Sequence, residues 1–174
     1  MEIHAYDEEL AERVLRPYRP ECRYLKSCEI EVEGDPRKGG RVIGRAEFSI
    51  GESWYIADTG HFNSVEFNLC SNQIAYYMLA KATQDGLMRP FSRWTMDDYW
   101  KRQLGSLLIT DFSSSFRRPI NSSAFQGEMT FTRVVERRDL AILQIGARFW
   151  DSAGGRSSGE LRVAVLDLPD PEGA

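Results

Sequence analysis

Hydrophobic and polar residues alternate along six segments of the chain, and a helical spacing replaces the alternation in three others. A period of two is typical of strands with one buried face, and a period near 3.6 is typical of amphipathic helices. The predicted strands are 23–33, 41–50, 107–116, 125–135, 140–150 and 159–168. The predicted helices run from Asp7 to about Arg16, from Asn63 to Gly86, and from Thr95 onward.

The longest predicted helix begins with strong start signals. Asn63 is a good N-cap residue, and Glu66 three positions later completes a capping box. Phe62 and Phe67 have the spacing of a hydrophobic staple. Gly86 can end the helix, because glycine readily adopts the left-handed conformation that follows many helices.

The shorter helix that follows carries the same type of start signal. Thr95 is the predicted N-cap, and Asp98 takes the third position of a second capping box. Tyr99, Leu104 and Leu107 are predicted to face the interior of the protein.

The order of elements is therefore helix, two strands, long helix, short helix and four strands. The turns between the last strands are short, which favours antiparallel neighbours. A mainly antiparallel sheet with one long helix on a single face is an α+β layer architecture. A sheet wrapped around one central helix is the hot-dog fold, whose exposed edges are commonly covered by dimerisation. We therefore expect an α+β hot-dog fold and a homodimer.

Length and charge limit the classes of protein that this chain can belong to. The 174 residues favour one domain, spanning 1–174, with a core large enough to fold without disulfides. The net charge is −4, and the basic doublets Arg117-Arg118 and Arg137-Arg138 are short. Scattered basic residues on an acidic chain argue against nucleic-acid binding.

The sequence also favours a cytoplasmic protein that does not cross a membrane. No apolar run approaches the roughly 20 residues that a membrane-spanning helix needs, and the acidic, polar N-terminus does not resemble a signal peptide. The cysteine number is three, which is odd, so free thiols in a reducing compartment are expected. With two histidines and no clustered Cys/His spacing, we expect no metal site and no cofactor.

The segment Gly155–Gly159 matches the G-x-S-x-G pattern of serine hydrolases. That pattern requires a strand, a sharp turn and a helix, with the catalytic histidine later in the chain. Here the next predicted element is a strand and no histidine follows Ser157, so we interpret the segment as a hairpin turn.

His61 is the strongest candidate for chemistry because it immediately precedes the long helix. The free N–H groups of a first helical turn bind anions and can stabilise an oxyanion. Gly60 allows close approach of the backbone, and a neutral imidazole can act as a base. The alternative is a loop histidine that only hydrogen-bonds the backbone. Glu66 is the nearest acid; closure of the capping box is the simpler role for it, and general base the alternative.

The stretch GESWYIADTGHFNSVEFNLCSNQIAYYMLA at 51–80 resembles the FcoT-like thioesterases, a family with the hot-dog fold. The resemblance extends over most of the chain through several separated motifs in the same order. These are LRPY at 15–18, CRYL at 22–25, WTMDDY at 94–99, FRRP at 116–119, FWD at 149–151 and SGE at 158–160. The family includes long-chain acyl-CoA thioesterases, and enzymes of secondary metabolism that add glycine to the β-carbon of a 2-enoyl thioester and in some cases then hydrolyse it.

The resemblance implies roles for particular residues. His61 falls on the base of the glycine-adding branch, which acts through water. The positions of thioesterase active-site residues fall on Tyr18, Tyr55, Asn63 and Asn72. The loop that embraces glycine falls on Tyr55, Ile56, Ala57, Asp58, Thr59, Gly60, His61, Phe62 and Asn63, and backbone donors for the thioester oxygen are expected around Gly60 to Ser64. His61 and Asn72 are the predicted catalytic residues, and the others are predicted to bind substrate.

The activity implied is Michael addition of glycine to an α,β-unsaturated acyl thioester, followed by hydrolysis to an N-carboxymethyl-3-amino acid. Many hot-dog thioesterases use a helix carboxylate, whereas this helix offers Asn68, Asn72 and Gln73, which leaves His61 as the expected base. The expected partners are glycine, an enoyl thioester of CoA or an acyl carrier protein, and a second copy of the chain with the active site near the interface. The alternatives are a plain acyl-CoA or acyl-carrier-protein thioesterase and a non-catalytic acyl-thioester-binding protein.

Overall fold

The computed structural model describes residues 2–34, 40–56, 61–137 and 139–168. Seven strands lie within these ranges: β1 Glu2–His4, β2 Leu25–Glu33, β3 Arg41–Phe48, β4 Leu107–Arg118, β5 Phe125–Glu136, β6 Ala141–Trp150 and β7 Arg156–Val165. Three α-helices accompany them: α1 Glu8–Leu15, α2 Ser64–Gln84 and α3 Met96–Arg102. No helix in the described ranges is long and apolar enough to cross a membrane.

The seven strands form one antiparallel sheet in the order β1-β2-β3-β5-β6-β7-β4. Helix α2 packs against the face of this sheet, and its buried side chains share one hydrophobic core with the inward-facing strand residues. Alternate residues of β6 are buried, as a strand with one covered face requires. The predicted α+β hot-dog arrangement of a long helix and an antiparallel sheet is confirmed.

The start of α2 follows the sequence signals. The Asn63 side chain accepts a hydrogen bond from the Val65 amide at 2.8 Å, and the Glu66 side chain accepts one from the Asn63 amide at 2.9 Å. The rings of Phe62 and Phe67 lie 6.2 Å apart, in the arrangement of a hydrophobic staple. At the other end, Gly86 has a φ of +65° just after the C-cap.

Three details of the predicted pattern differ from the structure. Leu104 is 60% exposed, so the prediction that it faces inward is wrong: α3 ends at Arg102, and the helical spacing does not continue to Leu104. Strand β1 was not predicted, because three residues are too few to show a period. The last strand begins at Arg156, three residues before the predicted start, so only Gly155 of the G-x-S-x-G segment precedes it. Ser157 is buried within β7.

Strand β4 is an edge of the sheet that carries exposed apolar side chains. Among the described strands it pairs only with β7. Leu108, Ile109, Phe112 and Phe116 are each 38–43% exposed, although an apolar side chain on an edge strand favours aggregation or pairing. The edge therefore offers both unpaired backbone groups and apolar side chains to another surface.

Candidate active site

The residues at the start of α2 line a cavity of about 410 Å³ together with the end of β4. His61 is exposed there, next to the N-cap of the helix. The structure adds Arg117 and Arg118 to the same cavity, and we did not predict them as site residues. The register of the sheet brings the end of β4 to the helix start, a long-range contact without a local sequence signal.

The side chains around the helix start form a hydrogen-bonded network. The Asn63 side-chain amide donates to the Tyr55 hydroxyl oxygen at 2.6 Å. Ser53 donates from its hydroxyl to the Glu66 carboxylate at 2.6 Å. Partial burial raises the pKa of Tyr55; its interaction with Asn63 opposes this rise, and the Glu66 carboxylate adds to it. The network fixes Tyr55 against Asn63, although eight positions separate them in the sequence.

Glu66 has the structural role that the capping box predicts. Glu66 is only 1% exposed, and both of its carboxylate oxygens accept hydrogen bonds. A buried carboxylate that is held by donors is poorly placed to take a proton from substrate. His61 is therefore the better candidate for a base.

The capping bonds also decide which first-turn amides can face a ligand. The Asn63 N–H donates to Glu66, and the Val65 N–H donates to the Asn63 side chain. Ser64 lies between them, is exposed and lines the cavity, and its N–H takes part in neither bond. We predicted backbone donors for the thioester oxygen between Gly60 and Ser64. Asn63 is not one of them, because its backbone N–H already donates to Glu66.

Phe62 lines the cavity but belongs mainly to the core. It is 1% exposed, and its ring lies within 6.3 Å, centroid to centroid, of four other phenylalanines. These are Phe67, Phe116, Phe125 and Phe149. The cluster holds the helix start against β4, β5 and β6, and so positions the residues on either side of Phe62.

Two predicted site residues, Asn72 in α2 and Tyr18 just after α1, do not line the cavity that contains His61. Asn72 is half-buried nine positions after Asn63, which corresponds to about 13 Å along the helix axis. Its side-chain amide contacts the Asn68 side-chain oxygen at 3.5 Å. Tyr18 is also half-buried, and burial together with the nearby Tyr76 and Cys70 raises its pKa. Within one chain, the structure does not bring Asn72 to the His61 cavity.

The neighbouring amide, Gln73, has a structural role. It is fully buried, and its oxygen accepts hydrogen bonds from the Tyr24 and Leu25 amides at 2.9 and 3.0 Å. Its nitrogen donates to the Cys22 carbonyl at 2.7 Å. These bonds tie α2 to the start of β2, so Gln73 is not free to orient a substrate.

The loop before the helix is described only in part. Tyr55 and Ile56 are 44% and 47% exposed and line a second cavity, of about 490 Å³. The predicted loop residues Ala57, Asp58, Thr59 and Gly60 lie outside the described residues.

Neither a metal site nor a reactive thiol is indicated in the part of the chain that the structure describes. No group of three or more His, Cys, Asp or Glu side chains there could hold a metal ion. The three cysteines are free, as predicted, and buried. Burial raises the pKa of Cys70, and the Glu66 carboxylate adds to the rise, so its thiol is held in the less nucleophilic neutral form.

Comparison with known proteins places this arrangement in a family. The model of the FcoT-like thioesterase domain matches residues 13–165. This chain belongs to the FcoT-like thioesterase family. Among FcoT-like relatives, the (2E)-enoyl-ACP glycyltransferase of Streptomyces coeruleorubidus is 45% identical over 168 residues, covering 94% of this chain and 99% of the relative. A protein of the same name from Mycobacterium bovis is 41% identical, covering 93% of this chain and 88% of the relative.

Solved structures support the fold of this FcoT-like chain. A protein from Syntrophus aciditrophicus, assigned as a thioesterase, aligns with a TM-score of 0.55 and 11% identity over 91% of this chain and 95% of its own. Another from Shewanella oneidensis, with the same assignment, gives a TM-score of 0.51 and 10% identity over 92% of this chain and 99% of its own. At this level of identity the likeness concerns the fold alone.

Proposed function

We propose that this FcoT-like protein adds glycine to the β-carbon of a 2-enoyl thioester and then hydrolyses the thioester. The observation that carries the proposal is the set of groups in one cavity: an exposed histidine, the mouth of a 21-residue helix and two arginines. The names of the relatives, which are 41–45% identical, support the glycine-transfer step.

In the first step the thioester carbonyl lies at the start of α2. The Ser64 N–H and the second N–H of the Asn63 side-chain amide are the donors that the capping bonds leave for the thioester oxygen. Electron density moves onto this oxygen when a nucleophile attacks the β-carbon, so these donors stabilise the enolate more than the ground state.

His61 supplies the proton transfers in our proposal. Glycine at neutral pH carries an ammonium group, which must lose a proton before its nitrogen can attack. His61, directly or through water, takes that proton. The nitrogen then forms a bond to the β-carbon and the π electrons move to the thioester oxygen. The protonated His61, directly or through water, returns its proton to the α-carbon of the enolate, which leaves His61 neutral for the next step. Tyr55 and the loop residues up to Gly60 are proposed to surround the glycine.

Hydrolysis uses the same groups. His61 removes a proton from water, which attacks the thioester carbonyl carbon, and negative charge again develops on the same oxygen. Collapse of the tetrahedral intermediate expels the thiol, leaving an N-carboxymethyl-3-amino acid.

We further propose that the active protein is a homodimer formed through β4. A second copy that pairs with the free edge would cover its backbone groups and its apolar side chains. The half-exposed stripe on α2, namely Val65, Asn68, Leu69, Asn72 and Tyr76, would then be available to the partner. Because Asn72 lies about 13 Å along α2 from Asn63, we propose that it acts at a site completed across this interface.

The experiment is mass spectrometry of reactions with crotonyl thioesters, with and without glycine. The proposal predicts a product heavier by one glycine, followed by release of the free acid. The matching domain is named for thioesterases, so release of crotonic acid at the same rate without glycine would favour plain thioester hydrolysis as the function. An unreacted thioester that remains bound would contradict both reactions.

A further inference from the structure

A basic groove lies on the outer face of the sheet, the face opposite α2. It has a volume of about 680 Å³ and is lined by residues at the adjoining ends of β4, β6 and β7, with Arg45 of β3. Four arginines line it: Arg45, Arg117, Arg148 and Arg156. This concentration of positive charge contrasts with the net charge of −4 of the whole chain.

The two carboxylates in the groove are already engaged. Glu128 lies 2.8 Å from Arg148 and 3.2 Å from Arg45. Asp151 accepts hydrogen bonds from three backbone amides, those of Asn121, Ala153 and Gly155. These carboxylates therefore leave part of the positive charge of the groove uncompensated.

Two of the arginines that line the groove form no ion pair with another described residue. Arg117 and Arg156 are exposed, and neither has an acidic group within 4.0 Å among the described residues. Trp150 is half-exposed beside them, and the Arg148 guanidinium lies 5.7 Å from its ring centre. Exposed arginine with a tryptophan is a combination that recurs at protein interfaces.

The groove adjoins the candidate active site. Arg117 lines both the groove and the cavity that contains His61. A backbone irregularity in the pairing with β7 lies at this residue, between Phe116 and Arg118. A ligand bound in the groove can therefore extend past Arg117 towards the start of α2.

We propose that this groove is the docking surface for an acidic carrier protein that delivers the enoyl thioester. The inference rests on the proposed function, because that function requires a thioester at His61. A carrier protein presents its acyl group on a long phosphopantetheine arm, so it must dock beside the cavity rather than inside it. Positive charge here, on a chain whose net charge is −4, favours the orientation in which the arm points to His61. Pairing of a second chain at the β4 edge extends the sheet and leaves this outer face open.

The test compares three crotonyl thioesters: one on an acidic stand-alone acyl carrier protein, one on CoA and one on N-acetylcysteamine. The variant combines Arg148→Gln with Arg156→Glu, since neither residue lines the His61 cavity. The matched control combines Arg41→Gln with Arg133→Glu. It makes the same change in charge at exposed positions of β3 and β5 that do not line the groove.

The groove variant should lower kcat/KM for the carrier-bound substrate by about tenfold or more, mainly through KM. It should leave the N-acetylcysteamine thioester within about twofold of the wild type, and the control should change none of the three. An equal loss on all three substrates would overturn the proposal. Equal losses on carrier and CoA would also overturn it, because the groove would then recognise the phosphate of the arm and not the carrier.

Binding measured without turnover separates this proposal from the proposed function. Calorimetry with a carrier that holds a non-hydrolysable amide analogue of the crotonyl thioester reports docking even if no glycine is added. Weaker binding to the groove variant than to the control would support docking alone. Equal affinity for wild type and groove variant would refute docking, whatever reaction the protein catalyses.

Discussion

Asn63 has two functions at the start of α2, and both depend on its side chain. The oxygen caps the helix through the Val65 amide, and the nitrogen donates to Tyr55. The sequence predicted the cap and the Glu66 capping box because both are local patterns. It could not show the bond to Tyr55, because the intervening loop has no periodicity from which its path can be inferred. Our assignment of Tyr55 to the site came from the family resemblance.

Replacement of Tyr55 by Phe tests whether the hydroxyl positions Asn63. We expect kcat for glycine addition to fall by about tenfold, because the Asn63 amide loses the group that orients it at the thioester oxygen. Thermal stability should change little, since Tyr55 is 44% exposed. Trp54→Phe, at an adjacent exposed position, is the control for loop packing. If kcat is unchanged in Tyr55→Phe, the positioning role is wrong.

Glu66 provides a test of stability at the same place. Glu66→Ala removes the acceptor of the Asn63 amide, and we expect the free energy of unfolding to fall by about 1–3 kcal/mol. Glu66→Gln keeps one acceptor oxygen and should lose less. Urea denaturation of both variants measures the difference. Equal losses in the two variants would show that the buried charge, and not the capping bond, is what matters.

At the scale of elements, the turn between β6 and β7 shows where a sequence pattern is insufficient. The turn residues at 153–155 predict the turn correctly, but our hairpin interpretation of Gly155–Gly159 places it too late, because β7 already begins at Arg156. Asp151 organises it, accepting hydrogen bonds from Ala153 and Gly155 within the turn and from Asn121 across it. The contact with Asn121 is long-range, so hydrophobic periodicity carried no signal of it.

Asp151 should make the protein sensitive to acid. Hydrogen bonds from backbone amides, that of Asn121 first, lower its pKa below the usual value. A carboxyl whose pKa is lower in the folded state stabilises the fold above its unfolded pKa, near 4, and this contribution is lost as pH falls through the folded pKa. Asp151→Asn should therefore be less stable than the wild type at pH 7, with a difference that narrows below about pH 4.

Denaturant melts at pH 7, 5 and 3 measure this effect, with Asp97→Asn at an exposed position on α3 as the control. A difference between wild type and Asp151→Asn that stays constant over this range would show that the carboxylate charge does not stabilise the turn.

For the whole molecule, the order of elements was sufficient to predict the architecture. The alternating strands and the capped long helix left few ways to bury both apolar surfaces, and the hot-dog arrangement is one of them. The sequence could not predict that the end of β4 lies beside the start of α2, because this contact depends on the order of the strands within the sheet. For that reason only the structure identified Arg117 and Arg118 as residues that line the His61 cavity.

The exposed β4 edge leads to a prediction about assembly. Phe112 is 38% exposed, and its ring lies 5.8 Å from that of Phe67 in α2. Phe112→Lys should convert the proposed dimer to a monomer and lower activity by about tenfold or more, because a charge opposite the partner's apolar edge is poorly solvated. Light scattering after size exclusion measures the mass, with Thr132→Lys, at an exposed position of β5 away from the β4 edge, as the control. A wild-type protein that is already monomeric and active would contradict the dimer.

The most direct test of the account is the fate of isotopically labelled glycine with wild type and His61→Ala. Crotonyl thioester and ¹³C-glycine are incubated with each protein, and the products are followed by mass spectrometry. We predict that the wild type forms the labelled adduct and that His61→Ala forms it at least about a hundredfold more slowly, with an unchanged melting temperature because His61 is exposed. Adduct formation by the variant at the wild-type rate would contradict the claim that His61 is the base.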